Sequence, residues 1–277
     1  MKPFFSVIIP TLNEEKYLPN LLDDLTKQKE KNFEIIIVDG KSEDRTIDVA
    51  MKYKNKYLIK AVISQKRNLC YQRNLGAKNS TGEYLVFLDA DSRIKKNYLS
   101  DLKKYIDKYS YPFLTTYQLP DDNDSFNLIL AQIANYGLEI LKLINKQMAP
   151  GYNFVILRNI FIKLKGFNEK TTISEDHDLS IRIQNAGIKL HIIPKKLVKW
   201  SFRRVKKDGY VNIFLKYGIA SFYTILLGEI TNKKLGYQAQ MGGQYFKEIK
   251  TKMIDVKLKN YLNKIKKLFI KLTKIKF

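Results

Sequence analysis

Gly82-Glu-Tyr-Leu-Val-Phe-Leu-Asp-Ala-Asp-Ser-Arg93 joins an unbroken apolar run to a pair of carboxylates. Tyr84 to Leu88 is short, partly β-branched and aromatic, and bounded by Gly82. That pattern suits a strand buried on both faces of a mostly parallel sheet. The run ends in Asp89 and Asp91, with only Ala90 between them. In open α/β sheets, ligands bind outside the carboxyl ends of the strands. Two acids there can hold a hard divalent cation through oxygen, and the cation can neutralise a bound diphosphate. Asp-x-Asp also occurs in ordinary solvated turns, so its place after a buried strand carries the meaning.

Working outward, residues 4–9 (Phe-Phe-Ser-Val-Ile-Ile) read as a first buried strand, stopped by Pro10. Apolar residues at helical spacing follow over 17–28. Residues 33–38 read as a second strand ending at Asp39-Gly40, then a helix running through Met51 and a strand over 58–63. Strands alternating with helices at this spacing predict a doubly wound α/β sheet. Asp39 and Asp89 then fall on one edge of it. Beyond residue 94, helices are expected over 99–109, 126–148 and 158–164, and strands over 113–119 and 151–157. Ser174-Glu-Asp-His-Asp opens a helix ended by Gly187, and a short strand over 190–193 is stopped by Pro194.

The chain has 277 residues, ample for a large core, and a net charge of +23. From Lys195 to Phe277 there are 21 Lys and Arg against 4 Asp and Glu, leaving a surplus of only six before that point. A locally basic end points to an anionic partner. Cys70 is the single cysteine, which excludes an internal disulfide and fits a reducing compartment. The first strand begins too soon for a secretory signal, so the expectation is a cytoplasmic protein.

These segments together resemble inverting family 2 glycosyltransferases of the GT-A fold, over roughly residues 4 to 205. The resemblance rests on Val7-Ile-Ile-Pro-Thr-Leu-Asn-Glu-Glu, Glu34-Ile-Ile-Ile-Val-Asp-Gly-Lys-Ser-Glu-Asp-Arg-Thr and Arg73-Asn-Leu-Gly, with the stretch quoted first. Gly166-Phe-Asn-Glu and Ser174-Glu-Asp-His-Asp-Leu complete it. It implies an α/β fold of GT-A type, a mostly parallel sheet flanked by helices, with a basic helical C-terminal extension. Residues 1–100 would be the nucleotide-sugar-binding half and 101–205 the acceptor and catalytic half of one domain. Residues 206–277 would be the extension.

The resemblance also implies roles. Pro10, Thr11 and Glu14 match the loop that lines the nucleotide, and Asp39 the acid that hydrogen-bonds the base. Asp89 matches the residue that meets the ribose and often the metal, Asp91 the acid that binds Mg²⁺ or Mn²⁺. Arg73 matches a nucleotide-side position, although an Arg on a surface helix is ordinarily just solvated. Asp176 matches the general base that deprotonates an acceptor hydroxyl. Glu175 beside it falls among the substrate-binding residues that the resemblance implies, although acids in the first turn of a Ser-capped helix also stabilise it against its dipole, a role open to Glu175, Asp176 and Asp178. Trp200-Ser-Phe-Arg-Arg stands where processive relatives carry Gln-x-x-Arg-Trp, which favours transfer of a single sugar. Arg203 or Arg204 would clamp the diphosphate or begin a basic surface.

Residues 126–148 and 211–230 approach membrane length but carry polar interruptions, so a packed or interfacial helix is expected for both. Nine apolar residues from Ile254 to Ile275 share one helical face, with lysines over most of the rest. That is the pattern either of a basic helix lying on an anionic membrane surface, here the inner face, beside a lipid-linked hydroxyl acceptor, or of a helix packed on the domain with its lysine face in solvent. No RNA-reading aromatic motif is present, so no nucleic-acid partner is expected. Two other functions compete: a nucleotidyltransferase on a similar sheet, and a degenerate membrane- or nucleic-acid-binding scaffold. The first would need a Gly-rich phosphate loop that Pro10-Thr-Leu-Asn-Glu lacks; the acids at 39, 89, 91 and 176 speak against the second.

Overall fold

The computed structural model describes residues 2–55, 57–122, 124–171 and 174–201. Its first half alternates β1 (Phe5–Thr11), α1 (Leu18–Thr26), β2 (Phe33–Asp39), α2 (Thr46–Met51), β3 (Ile59–Ile63), α3 (Leu69–Lys78) and β4 (Tyr84–Phe87). There follow β5 (Arg93–Ile94), α4 (Tyr98–Tyr109), β6 (Phe113–Pro120), α5 (Ser125–Leu143) and β7 (Phe154–Leu157). Then come α6 (Arg158–Lys163), α7 (Glu175–Asn185) and β8 (His191–Trp200). One sheet results, in the order β3-β2-β1-β4-β7-β6-β8-β5.

The apolar runs explain its centre. Alternate residues of β1, β2 and β4 point to opposite faces, and both faces are covered. Val7, Ile9, Ile35, Ile37 and Val86 pack with Leu18, Leu21, Leu99 and Leu102 of α1 and α4. Ile8, Ile36, Val38, Leu85 and Phe87 pack on the other face with Ala77, Phe161, Leu179 and Ile183. Gly82 lets β4 enter beside β1, since a Cβ there would lie 2.7 Å from the Ser6 backbone nitrogen.

β3, β2, β1 and β4 are mutually parallel. β7 runs antiparallel to β4 and to β6, while β6 and β8 are parallel. The sheet is therefore doubly wound at one end and mixed at the other.

Two prolines do not stop their strands as expected. β1 continues through Pro10, paired with Val38, to Thr11. Ile8 O accepts from Leu88 N, so the same edge of Pro10 faces a side where β4 has already ended, and no ladder bond is lost. β8 continues past Pro194 because its register with β6 jumps from Ile193 to Lys196. The bulge leaves the proline out of the ladder. α5 ends at Leu143 instead of 148, after which Asn145 takes a left-handed turn (φ 55°). β7 begins only at Phe154, so Gly151 and Tyr152 lie in a loop.

Candidate active site

The carboxyl edge of β1, β2 and β4 carries Thr11, Asp39 and, two residues beyond β4, Asp89. Asp39 is buried and built into its surroundings. Its Oδ1 accepts from Thr11 Oγ1 at 2.9 Å and Ser42 Oγ at 2.5 Å, and its Oδ2 from Ser42 N at 2.8 Å. Three of roughly four acceptor positions are thus filled. Ser42 Oγ also accepts from Asn13 N, and Thr46 Oγ1 from Glu14 N, both at 2.8 Å. Gln72 Nε2 donates to Thr11 O and Val38 O, tying both strand ends to α3. Pro10, Thr11 and Glu14 are buried in this knot. A cavity of about 310 Å³ opens next to it, lined by Asn13, Glu15, Lys16, Glu43 and Asp44.

On the other side of β1, Arg73 organises the acids. It is 1% exposed, so it is not the solvated helix residue that the sequence alone suggests. Its Nη2 donates to Asp89 Oδ1 at 3.0 Å and its Nη1 to Glu175 Oε1 at 2.8 Å. The guanidinium carbon lies 5.2 Å from the Phe167 ring centroid. Burial opposes the charge, but Asp89, Glu175 and Asp176 outweigh it, and the Arg73 pKa is raised. Gly151 is required beside it, since a Cβ would meet both terminal nitrogens at 2.7 Å.

Asp176 lies at the start of α7. One oxygen accepts from Gly151 N at 2.9 Å and the other from His177 N at 2.8 Å. The His177 bond satisfies an N-terminal helix amide, and the Gly151 bond ties α7 to the loop before β7. Ser174 does not cap the helix: it adopts φ 61° and its side chain makes no capping bond. Burial and then the neighbouring Glu175 raise the Asp176 carboxyl to about 7, although both amides and Arg73 pull it down. His177 is shifted the opposite way, to about 4, chiefly by burial and then by Lys146. Tyr152 is raised well above its ordinary value by burial, then by Asp176 and Asp89. Its ring stacks on Trp200 at 5.8 Å.

Asp178 faces elsewhere and pairs with Arg182, which donates to Leu164 O and Gly166 O. It holds the helix to its preceding loop. Cys70 is buried with its pKa raised, by burial first, and is an inert thiol. Arg203 and Arg204 lie outside the described residues, as do 211–230 and the amphipathic 254–275 stretch. The structure thus brings Arg73, Asp89, Glu175 and Asp176 together and sets Thr11, Glu14 and Asp39 across β1. Ser42, Gln72, Gly151 and Tyr152 were not singled out from sequence as site residues.

Asp89 and Asp91 share one turn after β4. Among the described residues, no group of three or more His, Cys, Asp or Glu is gathered so that it could hold a metal ion. Two hard carboxylate donors still suit a Mg²⁺ or Mn²⁺ ion that takes its remaining ligands from phosphate and water. No described helix is long and apolar enough to cross a membrane, α5 included.

The profile of the family described as "Glycosyl transferase family 2" matches residues 6–165. The chain belongs to this family. That membership sets aside the nucleotidyltransferase alternative. Poly(ribitol-phosphate) β-N-acetylglucosaminyltransferase TarS of Staphylococcus aureus is 32% identical over 181 residues, 63% of this chain and 29% of TarS. The chain therefore spans under a third of that relative. A dolichyl N-acetyl-α-D-glucosaminyl phosphate 3-β-D-2,3-diacetamido-2,3-dideoxy-β-D-glucuronosyltransferase of Methanococcus voltae is 27% identical, covering 81% of this chain and 75% of its own.

Solved glycosyltransferase structures share the fold. The TarS crystal structure with UDP-GlcNAc aligns with a TM-score of 0.59 at 24% identity, covering 73% of this chain and 58% of the other. The mannosyltransferase PcManGT of Pyrobaculum calidifontis, with GDP-Man and Mn²⁺, aligns at 0.61 and 18% identity, covering 82% and 71%. The mixed α/β sheet with flanking helices is that of GT-A glycosyltransferases.

Proposed function

We propose that the chain transfers one sugar from a nucleotide-activated donor to an acceptor hydroxyl, with inversion, and that Asp176 is the general base. The observation that carries this is a half-buried carboxyl at the start of α7, tied to the loop before β7 through Gly151 and gathered with Glu175 and Asp89 around Arg73. A base whose pKa lies near the working pH combines a useful ionised fraction with real basicity. Asp176 accepts the proton from the acceptor O–H as that oxygen attacks the anomeric carbon. The bond from that carbon to the nucleoside diphosphate breaks on the opposite face, and its electron pair leaves with the diphosphate.

Arg73 holds Asp89 and Glu175 in fixed positions near Asp176. Asp39 retains one acceptor position for a base N–H, and the Thr11–Glu14 loop forms the wall of the nucleotide site. Asp89 and Asp91 would hold Mg²⁺ or Mn²⁺, which offsets charge on the departing diphosphate when bound. Mn²⁺ in PcManGT supports that assignment. The UDP-sugar and GDP-sugar of the two aligned complexes define the donor classes to try first. The dolichyl-linked acceptor named for the M. voltae relative supports a lipid-linked hydroxyl here, reached from an anionic membrane surface.

A thermal-shift panel of nucleoside diphosphate sugars, with and without Mn²⁺, tests the reading. A ligand bound only by the folded state raises the melting temperature with its concentration. One nucleotide-sugar class should do so, more strongly with Mn²⁺. A flat response across the panel, with Mn²⁺ present, would refute the donor site.

A further inference from the structure

α5 satisfies polar side chains against the protein and turns apolar ones to solvent. Asn135 exchanges hydrogen bonds with Gln118 of β6, Asn127 donates to Asp122 in the preceding loop, and Glu139 accepts from Tyr117. On the outer side Ile133, Tyr136, Ile140 and Ile144 are each 57–58% exposed, and Leu143 is 80% exposed. At about 100° of rotation per residue, these five share an arc of about 100°. Glu139 and Lys142, the two charged residues of α5, fall outside that arc. Single exposed apolar residues are ordinary, but a contiguous stripe of large ones marks an interaction surface.

We propose that this face of α5 lies against a bilayer containing anionic lipid. The proposal rests on the reading above for its purpose, reaching a lipid-linked acceptor, and adds the surface by which the domain makes contact. α5 is not apolar enough to cross a membrane, so the contact is interfacial. Charge favours a bilayer over a second copy of the chain. A second copy carries the same surplus of 23 positive charges, whereas anionic headgroups complement it. Lysines also gather at the C-terminal end of the stripe. Burial and then Lys142 and Lys189 lower the His191 pKa, and burial and then Lys146 lower that of His177, which places all three cations nearby. Leu190 N donates to Gln147 Oε1 at 2.7 Å and so holds Lys189 beside the turn after α5. Asp121, Asp122 and Asp124 stand at the opposite end, so the lysine end approaches the headgroups first. Tyr136, within the stripe, has the amphipathic ring suited to headgroup level.

Cys70 is buried with its pKa raised, so a thiol introduced at the surface can be labelled alone. The test uses the full-length chain with Ile140→Cys carrying an environment-sensitive fluorophore, mixed with vesicles of phosphatidylcholine and phosphatidylglycerol. Emission should rise roughly twofold or more and be quenched by brominated acyl chains. The same label on Lys60→Cys, an exposed site on β3 at the other end of the sheet, should not change. Three results would each overturn the proposal. The chain fails to sediment with the vesicles; it sediments, but the label at 140 is not quenched; or that label is already shielded without vesicles and does not respond to them, which means that protein covers the stripe. A second variant, Ile140→Glu with Leu143→Glu, changes two exposed residues and should lower the vesicle partition coefficient roughly tenfold or more. An unchanged coefficient would count against the stripe. The donor-induced thermal shift, measured on the same samples, keeps the two readings apart. If it persists where partitioning fails, the membrane surface alone is refuted; if it is absent, the donor site is.

Discussion

Asp39 and Asp176 are stabilised on the same sheet edge by opposite means. Asp39 is held by two side-chain hydroxyls and an amide, from the last residue of β1 and the loop after β2. Asp176 receives two backbone amides, while the nearby guanidinium is engaged by Asp89 and Glu175. Donors converging on one carboxylate turn it into framework. A carboxylate that is half-buried, beside another acid and bypassed by the nearest cation keeps a proton close to neutral pH. The edge thus separates a fixed binding side from a proton-transferring side, and the difference lies in where Arg73 directs its two terminal nitrogens.

Removing that cation should have the largest effect. Arg73→Met leaves Glu175 without its partner in a nearly dry setting, and breaking such a pair costs about 3–5 kcal/mol. Urea unfolding of the variant should show a loss of that order. A loss below about 1 kcal/mol would mean that the acids do not depend on Arg73.

Asp176→Asn sharpens the comparison from the other side. It should keep donor affinity by calorimetry but lower turnover on the order of a hundredfold or more, as removal of a general base does. Unchanged nucleotide release would reassign Asp176 to tying α7 to the Gly151 loop. The variant also carries a stability signature. The folded-state pKa near 7 lies above the ordinary carboxylate value, so the folded chain binds the extra proton between about pH 4 and 7. Stability contributed by Asp176 is therefore present at low pH and falls as pH rises through that window. The difference between parent and variant should change by up to about 1.4 kcal/mol per pH unit there and level off outside it.

Smaller effects belong to the binding side. Asp91→Asn should weaken the Mn²⁺-dependent part of donor binding roughly tenfold, about 1.4 kcal/mol, with the fold intact. Calorimetry with and without Mn²⁺ separates the two. Thr11→Val removes one buried donor from Asp39 and should cost about 1 kcal/mol of stability. The same substitution should leave the pH dependence set by Asp176 untouched.

Much of the fold was legible because its central strands are continuous apolar runs that end in polar turns. The positions of Asp39 and Asp89 followed from that pattern alone. Strand limits at Pro10 and Pro194 were not legible, because a missing amide matters only where a neighbour needs it. Arg73 was the main surprise. Helical spacing cannot reveal that Asp89 and Glu175, 16 and 102 residues away, converge on it. Gly151 and Tyr152 escaped notice for a similar reason: their roles come from a loop position that local propensity does not encode. Ser42 sat inside a quoted motif, but nothing in its spacing said that it would bond Asp39.

Partial burial beside Glu175, with Arg73 turned to other partners, keeps Asp176 protonated up to neutral pH. A ¹³C NMR titration of the aspartate carboxyl carbons tests it most directly and needs no substrate. The Asp176 resonance is identified as the signal lost in Asp176→Asn. Its midpoint should fall near pH 7, roughly three units above an ordinary aspartate. A midpoint below pH 5 would contradict the account.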